Sequence, residues 1–311
     1  MASSSVKPRS RSLSSQSDKT FQTVILVLAS LVLVIAALYA VVLLLGGIPA
    51  FAKEGLGFFF GTNWDPGTET YQAFPFIVGT FVTALGALII ATPLAIASAL
   101  FVVEYAPKWL AQPVANLVEL LAAIPSVVYG LWGLFVMLPI MRSFQTWVVL
   151  TFPSLGWAPT GIGLFSAMVL LAIMVIPFIS AISRDVIKLV PDDQREAAYA
   201  LGATKWEVIR YGIFPYARAG ILGGVILGLG RAVGETLAVT MVIGNANRIA
   251  PNLFAPTATM SSVIASNFNE ALGAMVPALI AIGFVLFIFT MIINYVARII
   301  ILRLTPQGIR L

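Results

Sequence analysis

The chain contains no cysteine and no histidine. The first absence excludes disulfides, thiolate metal sites and cysteine nucleophiles. The second excludes imidazole haem ligation, zincin-type chemistry and histidine general-base catalysis. Charge is scarce too, since Asp, Glu, Lys and Arg make up only 10% of the 311 residues. No Walker A sequence, G-x-x-x-x-G-K-[ST], is present, so the chain carries no P-loop for ATP. No nucleophile–base pair or metal-ligand cluster is visible, which argues against an enzyme and against any cofactor held by the chain.

What the sequence has is apolar length. It is 59% hydrophobic, the composition of a polytopic membrane protein. Crossing the hydrocarbon core takes roughly 20 apolar helical residues. Six stretches qualify, at about 21–46, 74–103, 113–140, 161–182, 219–243 and 275–300. Pro93, Pro125, Pro139 and Pro177 fall inside them. Neighbouring helices can satisfy carbonyls freed by proline, so the spans are read as unbroken. The fold class expected is therefore all-α, with six transmembrane helices.

The net charge of +5 does not point to nucleic acid, because the basic residues flank the spans. With six spans, fourteen Lys and Arg fall on the face that carries both tails, Lys108 and the 183–218 loop. The other face receives three, Lys53, Arg142 and Arg248. The positive-inside rule then places both termini and the 183–218 loop in the cytoplasm. Residues 1–20, with eight Ser and four Lys or Arg, read as a disordered cytoplasmic tail. Residues 21–73 read as the first span and an external loop, 74–302 as the main transmembrane domain, and 303–311 as a second tail. Ala50-Phe51-Ala52 resembles a signal-peptidase site, but the apolar run before it exceeds a signal h-region of roughly 7–15 residues. The outer loops 47–73 and 244–274 are long enough to cap the bundle or to receive an external partner.

Within the 183–218 loop, residues 191–215 read as two short helices. Asp193 and Glu196 fit an N-cap and N3 pair, and Thr204 and Glu207 repeat it. Gly202 is a natural helix stop, and the second helix is expected to end near Pro215. Capped helices of about nine residues are marginal alone and need tertiary or partner contacts.

The fifth span carries Gly220, Gly224, Gly228 and Ala232 at every fourth position. Such a stripe lets two helices approach closely. Arg231 lies in the same span, where an arginine costs about 2.5–3.5 kcal/mol on insertion scales. Glu235 follows one turn later on the same face, so the two can pair, and whether they do at rest stays open. Intramembrane charges are functional candidates by default, and a guanidinium fork suits bidentate binding of an oxyanion. Arg231 is thus expected to meet an anion in passage, with Glu235 holding and releasing it. Glu119 reads as structural, and Glu104 as interfacial.

Three stretches carry a family resemblance. Glu196-Ala197-Ala198, three residues, Gly202, and then Pro215 resembles the EAA loop of ABC importer permeases. Gly212 and Phe214 depart from the aliphatic pattern of that loop's second half. Glu119 to Trp132 (ELLAAIPSVVYGLW) and Gly228 to Asn245 (GLGRAVGETLAVTMVIGN) look like the PstC-type permeases of the bacterial phosphate ABC importer. The resemblance covers roughly residues 70–302 and the first span. It implies a MetI-like fold in the bacterial inner membrane and a heterodimer with a second, PstA-type permease. It also implies a PstB-type ATPase dimer that uses ATP and Mg below, and a PstS-type phosphate-binding protein outside. The EAA residues would be the ATPase coupling loop, and Arg231 with Glu235 would serve phosphate passage. A permease for sulfate or molybdate is the nearest alternative. An ATP-independent channel or secondary transporter, or an assembly factor, fits the EAA loop or the buried charges less well.

Overall fold

A computed structural model describes residues 14–304. Six of its helices are long and apolar enough to cross a membrane. The first, α1 (Ser14–Glu54), is longer than the expected 21–46 and takes in residues 14–20 of the expected tail. The rest of that tail, residues 1–13, lies outside the described residues. A short α2 (Gly57–Phe60) and a two-stranded hairpin, β1 (Trp64–Asp65) and β2 (Thr70–Tyr71), follow. The second span, α3 (Phe74–Leu100), runs on through a π turn at Phe101–Tyr105.

The third span differs from the expected 113–140. Residues Lys108–Ala123 form a separate helix, α4, and α5 (Ser126–Trp132) starts after a break. A π turn at Gly133–Met137 then leads into α6 (Leu138–Thr151). Pro125 makes the break. Ile124 before it is extended, with ψ 129°, as the proline ring favours for the preceding residue. Pro125 also lacks the N–H that the Leu121 carbonyl would accept in a continuous helix. The Tyr129 hydroxyl fills the gap, donating to that carbonyl at 2.9 Å. Pro93 and Pro177 instead sit inside unbroken helices.

The fourth span, α7 (Leu164–Lys188), extends six residues into the expected loop. After it come α8 (Asp192–Ala200) and one turn, α9 (Lys205–Glu207). A π turn at Val208–Ile213 joins α9 directly to the fifth span, α10 (Phe214–Gly234). The helix therefore does not end near Pro215. The wider turn draws the carbonyl four residues back away from the pyrrolidine ring, so the chain stays helical through it. The fifth span does end early, at Gly234 instead of 243, and α11 (Leu237–Ile243) follows a two-residue break. α12 (Met260–Asn267) and the sixth span, α13 (Met275–Leu304), complete the chain. Residues 305–311 lie outside the described residues.

α7 is the axis of the bundle. The buried alanines of α3, at 84, 87, 91, 95 and 99, form a thin face against it. Leu170, Leu171, Met174, Val175 and Ile179 of α7 fill the joint core with Val239, Val242 and Ile243 of α11. The glycine stripe of α10 packs against α7, the close contact with another span that was expected. A Cβ at Gly220 would meet Val186 at 2.5 Å, one at Gly224 would meet Ile182 at 3.1 Å, and one at Gly228 would meet Val175 at 2.8 Å. Without a strong hydrophobic drive between helices in lipid, such close backbone approach is what holds them together. α1 packs along α13, with Gly46 over Ile280 and Gly47 over Ala281. The outer loops are folded, burying Phe58, Trp64, Tyr71, Phe76 and Met260 in one cluster at that end.

Candidate functional site

Two sites expected from the sequence fall at different levels of the bundle. The first is the EAA loop. Pro191, and not Asp193, precedes α8; Asp192 and Asp193 lie in its first turn, where negative charge favours a helix N-terminus. Gly202 ends α8 with φ +81°, and no atom lies within 4 Å of where its Cβ would be. Conformation is therefore what calls for glycine there. Its N–H donates to Tyr199 O at 2.9 Å and the Ala203 N–H donates to Ala198 O at 3.2 Å, which is the Schellman pattern. Thr204 then caps α9, and its capping box with Glu207 is complete. Glu196 and Ala197 are exposed, and Ala198 is half-buried beside Gly212. Leu201, just before Gly202, is 89% exposed, and Tyr199, Trp206 and Tyr211 are exposed as well.

Sequence reasoning missed what seats this loop. Arg195, on the inner side of α8, donates from Nε and Nη2 to Glu104 Oε1 at 3.3 and 3.2 Å. It also donates to the carbonyls of Ile187 and Val190 at 3.0 and 2.5 Å, and to Asp192 at 3.0 Å. The guanidinium thus rivets α8 to the ends of α3 and α7. Lys205 adds a hydrogen bond to the Glu104 carbonyl and lies over the Tyr105 ring at 4.4 Å. Below the loop, Val190, Val208, Ile209, Ile213 and Ala217 form an apolar seat. Glu119 accepts from Arg184 Nη2 at 2.7 Å and so ties α4 to α7, a contact consistent with the structural role expected of it. A glutamate at a span end, 91 residues from its arginine in sequence, gave no signal of its partner.

The second site is Arg231. It sits in the last turn of α10, with its guanidinium 4.3 Å from the centroid of the Phe178 ring. Phe178 lies ten residues from the Lys188 end of α7 and fourteen from Leu164. At 1.5 Å per residue those are about 15 and 21 Å, so the stack is near mid-span. Tyr129 lies within electrostatic reach of the same charge. Arg231 Nε is buried and has no hydrogen-bond partner.

Arg231 and Glu235, which their spacing allows to pair, do not pair in this structure. Among the described residues no ion pair involves either side chain. Glu235 lies at the break after α10, with φ −67° and ψ 126°. Its carboxylate instead accepts the Ala238 N–H at 3.4 Å, at the start of α11. Its carbonyl accepts the Ser261 hydroxyl of α12 at 2.8 Å. Glu235 is 9% exposed and acts in this conformation as the pin of the break.

Comparison with known proteins places this architecture. Residues 91–306 match the family described as binding-protein-dependent transport system inner membrane component. Of solved structures, the inward-facing MetNI methionine ABC transporter matches with TM-score 0.54 at 20% identity, over 75% of this chain and 94% of that one. A bacterial alginate ABC transporter, solved with its pentasaccharide-bound periplasmic protein, matches with TM-score 0.61 at 18% identity, over 94% and 98%. Such identities speak to the fold alone. Six spans, a capped EAA loop and this fold define the permease component of an ABC importer. Among sequence relatives, the phosphate transport system permease protein PstC of Xylella fastidiosa (strain 9a5c) is 44% identical, over 94% of this chain and 93% of its own. That of Pasteurella multocida (strain Pm70) is 44% identical over 85% of each. The chain belongs to the binding-protein-dependent inner-membrane transport family, among its PstC-type permeases.

Proposed function

We propose that this chain is the permease subunit of an ATP-driven importer of inorganic phosphate. It forms the translocation path with a second, PstA-type permease. A PstB-type ATPase dimer docks on Glu196, Ala197, Ala198 and the exposed Leu201, and uses ATP and Mg there. A PstS-type binding protein delivers phosphate at the opposite end. The fourteen-to-three split of Lys and Arg supports a cytoplasmic EAA loop and cytoplasmic termini in a bacterial inner membrane.

The observation that carries the reading is Arg231: a guanidinium near mid-span, with no counter-ion among the described residues and one donor without a partner. Insertion of such a charge is costly. A guanidinium without a counter-ion at that depth is suited to an oxyanion shedding its water. Glu235 supports the path indirectly, by holding the turn that ends α10 just beyond Arg231.

The test is phosphate uptake by the assembled four-component complex in proteoliposomes. Arg231→Gln leaves a polar side chain, shorter than arginine, and removes its charge. Uptake is expected to fall at least about tenfold while the complex still assembles, the loss of one charge-assisted contact of about 1.4 kcal/mol or more. Normal uptake by the variant would remove Arg231 from the path.

A further inference from the structure

Arg231 faces a ring and not a counter-ion. The face of a benzene ring is the negative end of its quadrupole and attracts a cation, most strongly where water is excluded. Phe178 presents that face to the guanidinium at 4.3 Å. A carboxylate in its place would hold the arginine as well. It would also occupy the N–H donors and cancel the charge that an anion needs. A ring face does neither. It covers one flat side of the guanidinium and takes up none of its N–H donors; Nε, itself buried, has no partner.

The ring is itself held in place. Phe178 follows the buried Pro177 and lies between Val175 and Ile179, both buried. Those two side chains are what a Cβ at Gly228 would strike, at 2.8 and 3.0 Å. Gly228 is one turn before Arg231 on α10. The close approach of α7 and α10 at this glycine therefore sets the distance between ring and guanidinium.

We propose that Phe178 is a positioning residue of the anion path: its ring face stations Arg231 in place of a counter-ion and takes up none of its N–H donors. The proposal rests on reading Arg231 as the contact for the passing anion. It gives the glycine stripe a second role, as the spacer of a cation–ring contact.

The test uses the whole complex with Phe178 replaced by phenylalanine carrying one, two or three ring fluorines. Fluorine drains the negative face while nearly keeping the shape of the ring. Phosphate uptake is expected to fall stepwise along the series, to about a tenth of the parent value with three fluorines. Phe178→Leu should fall at least as far, and Phe178→Tyr should keep most of the rate. Equal uptake along the fluorine series would overturn the proposal, because a ring that serves only as filler is insensitive to fluorine. Arg231→Gln in the same membranes separates the two failures. If it is inactive while the series is flat, the role of Phe178 alone is wrong. If it transports normally, the reading of Arg231 falls and the proposal with it.

Discussion

At the scale of single residues, the break at Pro125 and the end of α10 each depend on one side chain that supplies what the backbone lacks. Tyr129 donates to the carbonyl that Pro125 cannot serve. Glu235 accepts an N–H at the start of α11 and fixes the turn beyond Arg231. Tyr129→Phe removes only the hydroxyl and leaves the Leu121 carbonyl unserved by a side chain. The cost is expected to be about 1 kcal/mol, read as a lower midpoint for thermal unfolding of the purified complex. An unchanged midpoint would mean that the Ile124 N–H, which reaches the same carbonyl at 3.4 Å, suffices. The intramembrane arginine was legible in the sequence because charge there is rare. Its partner was not. One-turn spacing allows an Arg231–Glu235 pair without dictating it, and the Glu235 carboxylate instead takes the Ala238 N–H beyond the end of α10.

At the scale of elements, prolines decide where this chain bends, and no single rule covers them. Pro93 and Pro177 lie inside intact helices, Pro139 and Pro215 each follow a π turn, and Pro125 breaks its helix. The difference lies in what surrounds each freed carbonyl, which the sequence around the proline does not state. The EAA loop was more legible, because caps are local: Thr204 with Glu207 and the positive φ of Gly202 follow from neighbours in sequence. Its seat was not, because Arg195 meets Glu104 across 91 residues. Both side chains of that pair are largely buried, at 16% and 12% exposure. Hydrogen bonds to charged groups contribute about 1.5–3 kcal/mol each. Arg195→Ala should therefore leave Glu104 uncompensated and free α8 from the bundle. The expected outcome is a transporter that keeps its permease pair but recovers much less ATPase on purification. Full recovery of the ATPase would show that the apolar seat under Val208 and Ile213 holds the loop without the arginine.

At the scale of the whole molecule, composition and hydropathy located all six spans, with errors at their ends and at the Pro125 break. The glycine stripe announced the α7–α10 contact, because small residues at every fourth position have few other uses in a membrane. The face of α3 was less visible, since alanine is common in any helix. The outer end, where loops fold into a cap around Phe58 and Trp64, depends on contacts between distant segments and was open in the sequence. Together the parts make a permease with a docking loop at one end, a folded cap at the other and between them a guanidinium that faces a ring. The central claim is that ATP drives phosphate through this assembly. The most direct measurement is uptake of labelled phosphate into proteoliposomes holding the complete complex, with and without ATP, and with sulfate in excess as competitor. Uptake that requires ATP, stops with vanadate and ignores sulfate is the predicted result. Uptake that proceeds without ATP, or that sulfate abolishes, would contradict it.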